Sequence, residues 1–207
     1  GFGHSLTLTA SRVLLQVVTL KSPGPTGGRP LAGPSVQAWV LPHLLAWLER
    51  QGADTSEIRR LPGLGHLDDP DEGVPEASAQ RAGEIAAALT GDGAIGVHVA
   101  ESLPRGALDL VEYAFRSSPS MSLGLTRLAR YGHVMTDRVA TRIEATGEGM
   151  LLMLRDTAAT RLHPARTELG LALAVKLARD TTGSAITPLK VCFAHQAPRD
   201  VSEHRRF

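Results

Sequence analysis

Between Tyr131 and Val139 the apolar period of this 207-residue chain changes from 3.6 to 2. Before that point apolar residues recur at helical spacing. Val36, Trp39, Val40, Leu44, Trp47 and Leu48 mark a helix from Ser35 to about Arg50, with Pro42 placed to kink it. A short helix is predicted over 55–60. Pro75 opens another helix that turns Ala79, Ala82, Ile85, Ala86 and Leu89 inward. Two more are expected, over 94–102 with Ile95, Val99 and His98 facing in, and over 107–116 with Leu108, Val111, Tyr113 and Phe115 apolar. After the change, residues 139–144 alternate, Thr146-Gly147-Glu148-Gly149 turns the chain, and residues 150–154 return as a second strand. A long helix over 165–179 stops at Gly183, and a strand surrounds Val191. Helices first, then a hairpin, a helix and a strand, predict an α+β fold with an antiparallel sheet packed on helices.

The helix just before the change has a legible start. Pro119 biases Ser118 away from the α region. Ser120 can then accept a hydrogen bond from a backbone N–H two or three residues on. Met121, Leu125, Leu128 and Ala129 follow at helical spacing, while Arg127 and Arg130 fall on another side.

The two ends of the chain read differently. It starts at Gly1, and residues 21–30 are dense in proline and glycine. Residues 1–35 are therefore expected to be a flexible or extraneous segment, with the folded domain over 36–207. The net charge of +1 and the scattered basic residues give no nucleic-acid footprint. The single cysteine, Cys192, excludes an intramolecular disulfide and reads as a buried, inert thiol. The apolar run from Leu6 to Leu20 is broken by Arg12 and Gln16 and falls short of the ~20 residues of a membrane span. No basic residue precedes it, as a secretory signal would require. These features predict a cytoplasmic protein with no membrane partner.

Chemistry-bearing motifs are missing. The eight histidines show no HxxxH or HExxH spacing, and no CxxC occurs, so no metal site is expected. There is no Gly-x-Ser-x-Gly elbow, and the glycines near Gly63 and Gly91 lack the Lys-Ser/Thr of a phosphate loop. The acids of Asp68-Asp69-Pro70-Asp71-Glu72 read as a solvated loop. No cofactor is expected. Arg130 could hold a carboxylate bidentately and Tyr131 could stack on a small ligand, though a surface ion pair and a core tyrosine account for them as well.

From Val74 to Phe207 the chain resembles the N-terminal arabinose-binding type of domain found in AraC/XylS-type transcriptional regulators. Three blocks carry the resemblance: Asp92 to Glu101; Leu103 to Ala114 followed by Ser117-Ser118-Pro119-Ser120 and Arg130-Tyr131; and Val191 to Pro198 with Arg205-Arg206-Phe207. The resemblance implies an effector-sensing and dimerisation domain and not an enzyme. Its expected partners are a small-molecule effector and a second copy of the chain, with DNA contacted only through a C-terminal region that this chain lacks. The domain itself is expected to be cut short at Phe207. The helices marked by the motif offer Tyr113, Arg130, Tyr131 and His133 as candidate ligand-binding residues. Asp109 and Glu112 stand where the family usually has glycine, and Leu123 replaces the family's capping-box glutamate. The rival readings are a stand-alone dimerisation or interaction module without a ligand, and a small hydrolase.

Overall fold

The computed structural model describes residues 13–17, 35–37, 39–64, 67, 73–136, 139–147, 149–156 and 163–207. In chain order these form strands β1 (Val13–Val17) and β2 (Ser35–Gln37), helices α1 (Val40–Arg50) and α2 (Ser56–Arg59), and strand β3 (Gly73–Pro75). Helices α3 (Glu76–Thr90), α4 (Ile95–Ser102), α5 (Asp109–Arg116) and α6 (Met121–Tyr131) follow, and a 3-10 turn (Gly132–Val134) ends that run. Strands β4 (Val139–Thr146) and β5 (Gly149–Asp156), helix α7 (Pro164–Thr182), strand β6 (Lys190–Cys192) and helix α8 (Ser202–Arg206) complete the described chain. The α+β architecture is the expected one.

Local chemistry sets the helix ends. Ser120 is extended, and its Oγ accepts a hydrogen bond from the Leu123 N–H at 3.3 Å, which starts α6 as predicted. In α7 the His163 ring nitrogen accepts from the Ala165 N–H, and Pro164 occupies the first helical position, where no N–H is needed. Gly183 ends α7 with φ 65°, and Gly91 ends α3 with φ 63°. Helix α1 begins at Val40, later than expected, because Ser35–Gln37 pairs with β3. Pro42 then falls in the first turn, where its missing N–H has no partner to lose.

The sheet has the order β4-β5-β1-β6. The hairpin β4–β5 is antiparallel, as read from the sequence, with Thr141 opposite Leu154 and Val139 opposite Asp156. Strand β1 inserts parallel to both β5 and β6, so the sheet is mixed. Val13–Val17 of this sheet comes from the stretch expected to be a flexible or extraneous segment. The remaining residues of the proline- and glycine-rich segment and of the acidic 68–72 loop lie outside the described residues.

Helix α7 is the hub of the packing. One side lies on α4, and the other meets the sheet through Leu171, Ala174 and Val175 against Leu152. A second core joins α4, α5, α6 and α7 around Phe115, Leu125 and Leu173, and a third joins α1, α2, α3 and α4 around Leu45, Leu48 and Ile58. Burying a side chain the size of Phe115 contributes about 2–3 kcal/mol. Gly96 lets α4 approach α7 closely, since a Cβ there would stand 2.2 Å from the Ala165 carbonyl oxygen.

Some inward expectations fail. Leu89 is 45% exposed, on the outer side of α3. Cys192 is half-buried on an edge strand. The two charged departures on α5 are accommodated. Asp109 has φ 42°, the left-handed region that favours glycine. Glu112 is buried, and the Arg116 Nε donates to its carboxylate at 2.7 Å. Burial opposes the charge on Glu112, but the Gly106 N–H and Arg116 outweigh it and hold the carboxyl below its usual range.

Candidate functional site

A cavity of about 210 Å³ opens where α1, α3, α4, α7 and the β4–β5 hairpin meet. Its wall is built mostly from small or apolar side chains. Ala79, Gly83 and Ala86 form one stripe of α3 at helical spacing, and Gly170, Leu173 and Leu177 do the same on α7. These small residues keep the backbones close without filling the space between them. Trp39 and Leu44 close the cavity from the start of α1.

Strand alternation selects what the hairpin contributes. Val139, Thr141, Leu154 and Asp156 share one face, because Thr141 pairs with Leu154 and Val139 with Asp156. All four line the cavity, and Asp156 is 5% exposed. Arg166, at the start of α7, also lines it and forms an ion pair with the buried Glu76 carboxylate. His195 reaches the cavity from the segment after β6.

His195 belongs to a second cluster behind the wall. Its Nε2 lies 3.1 Å from Glu168 Oε1, and Glu168 is 2% exposed. The Nε2 of His204, on α8, lies 3.2 Å from the same oxygen. It is not aligned for a hydrogen bond, and neither ring nitrogen of His204 has one. The Phe193 ring packs 4.9 Å from the His195 ring and 6.1 Å from that of His204. The fold thus brings the Glu168 carboxylate to two histidines far from it in the sequence. Among the described residues no group of three or more His, Cys, Asp or Glu is arranged to hold a metal ion.

The four residues offered by the sequence lie elsewhere. Tyr113 is exposed on α5, and Arg130 and His133 are exposed at the end of α6 and in the 3-10 turn. Tyr131 is 38% exposed. The structure brings three of them together: the Arg130 guanidinium sits 5.7 Å from the Tyr131 ring centre, and His133 Nδ1 lies 2.8 Å from the Arg130 carbonyl oxygen. None of the four lines the cavity. Leu128, Gly132 and Met135, from the same stretch, do. Leu128 comes from α6, Gly132 from the 3-10 turn and Met135 from just after it.

His98, expected to face inward, is hydrogen-bonded at both ring nitrogens. Its Nδ1 lies 2.6 Å from Asp92 Oδ2 and its Nε2 3.0 Å from Glu203 Oε2, which ties α4 to α8. Burial opposes its protonation, but the two carboxylates outweigh burial and raise its pKa. Arg206, beside it on α8, makes a two-pronged ion pair with Glu101 of α4.

The cavity's position, between a helical half and a sheet half, can be compared with known domains. A family model described as the arabinose-binding domain of AraC transcription regulators, N-terminal, matches residues 52–207. The chain belongs to this family. Its members carry this domain as the ligand-sensing part of a transcription regulator, and the match takes in α2 through α8, including every cavity-lining residue except those of α1 and Trp39. No curated protein matches the chain. No described helix is long and apolar enough to cross a membrane.

Proposed function

We propose that the cavity between α1, α3, α4, α7 and the hairpin is the effector site of a regulatory domain. In this reading the chain senses a small molecule, acts in the cytoplasm, pairs with a second copy, and reaches DNA only through another part of the regulator. It performs no catalysis. The observation that carries the reading is a largely apolar cavity walled by elements from both halves of the fold. A ligand there touches helices and sheet together, so it can favour one arrangement of the two over another.

The test is a thermal-shift screen of the purified chain against small metabolites, with sedimentation of the chain before and after addition of a hit. The expected result is at least one saturable ligand whose shift is lost when Ala86→Val narrows the cavity, acting on a dimer. A chain that binds nothing, or whose hits ignore the cavity variant, would sink the proposal.

A further inference from the structure

We infer that the ligand of this cavity is a compact apolar molecule, one ring or a short hydrocarbon chain with a single polar end, and not a sugar. The inference rests on the effector reading above and names its ligand class.

The first ground is the state of the polar groups on the wall. Arg166 is held by Glu76, and His195 by Glu168. Thr136, Arg155 and Asp156 each have a partner already. Thr141 and Thr167 also line the space, and a threonine hydroxyl suits one polar end of a ligand. A pentose carries an oxygen on every carbon, and each hydroxyl that loses water without gaining a partner weakens binding. A wall this apolar penalises such a ligand at most of its atoms.

Size is the second ground. An apolar cavity of about 150 Å³ is enough to take up benzene. At about 210 Å³ this one accepts a substituted ring or a chain of similar bulk. Small residues define that space, so added carbon atoms subtract from it directly. Ala86 is fully buried on the α3 stripe, and among the described residues Gly83 has just His163 Nδ1, at 3.8 Å, near the place of a Cβ.

Trp39 lines the cavity and Trp47 does not, so tryptophan emission reports occupancy. The experiment titrates the whole chain with ethylbenzene and, separately, with L-arabinose. Ethylbenzene should saturate at one site and change the emission, and Trp39→Phe should remove the change. Ala86→Val should weaken binding roughly tenfold, as expected for about one carbon of misfit in an apolar pocket. Should Ala86→Val fail to fold, Gly83→Ala serves the same purpose from the same stripe, with a weaker but measurable loss. L-arabinose should leave the emission unchanged. Saturable arabinose binding that Ala86→Val weakens would overturn the ligand class and leave the effector reading standing. If neither probe binds, or if ethylbenzene binding ignores both stripe variants, the inference and the effector reading fall together.

Discussion

Substituting alanine for Gly96 sets helix propensity against close packing, and the geometry predicts which one wins. A Cβ at Gly96 would lie 2.2 Å from the Ala165 carbonyl oxygen, 2.8 Å from Glu168 Cβ and 2.9 Å from the Leu169 nitrogen. Two of these are backbone atoms in the first turns of α7 and cannot swing aside. Carbon and oxygen come no closer than about 3.3 Å. Helices α4 and α7 must therefore part by about 1 Å. Alanine gains about 1 kcal/mol inside a helix relative to glycine. Overpacking of a rigid contact costs about 3 kcal/mol, the upper end of the usual range. The net loss is about 2 kcal/mol, a fall in Tm of about 4–8 °C for a chain of this length. Gly83→Ala is the control. It adds the same methyl group to a helix, but among the described residues its Cβ meets one atom, at 3.8 Å. There the propensity gain stands nearly alone, and Tm should rise by about 2–4 °C. Circular-dichroism melts of the two variants make the comparison. A Gly96→Ala variant that melts at or above the parent would refute the close approach of α4 to α7, and with it the shape of the cavity wall.

Two other perturbations test the polar clusters. Glu168→Ala leaves His195 without its buried acceptor and should cost about 2–4 kcal/mol in urea unfolding, while Glu168→Gln should recover part of that; a loss below about 1 kcal/mol would show that the carboxylate does not hold His195. His98 should titrate above its ordinary 6.5 in an NMR pH series, because Asp92 and Glu203 favour its charged form. A raised folded-state pKa gives stability that is complete below the unfolded value and is lost as pH rises through the folded one. The stability gap between the parent and His98→Gln should therefore be wider near about pH 6 than near about pH 8, and a gap that widens at the higher pH would contradict the bridge. His43 and His163 act in the opposite sense, since burial lowers both and their contribution is lost as pH falls.

What the sequence revealed was local. The Ser120 cap, the 139–156 hairpin and the Gly183 stop each depend on residues within a few positions of one another, and each appears as read. The place of strand β1 was not legible because its partners, Met150–Leu154 and Lys190–Cys192, lie far along the chain. The cavity was harder still. Its signal is a stripe of Ala79, Gly83 and Ala86, and in a sequence such a stripe reads as tight helix packing. Only the positions of α7 and the hairpin show that the space beside it stays open. Glu168 carried no signal at all, because it sits 27 residues from His195 and its partnership exists only once β6 and α8 have folded back.

Helix α7 links these observations. Gly170, Leu173 and Leu177 face the cavity. Glu168, on a neighbouring side, meets His195 and His204. Near the other end, the Arg179 guanidinium donates to the carbonyl oxygens of Ile186 and Phe207 and covers the Phe207 ring at 4.6 Å. The helix that walls the cavity thus also fastens the last described segment of the chain. Any shift of α7 that a ligand favours has to be matched at those fastenings or break them. A ligand biases such a pair of arrangements only by binding one better, and a difference of about 1–3 kcal/mol is enough for useful switching. That is comparable to the worth of one buried hydrogen-bonded charge, such as Glu168 on α7.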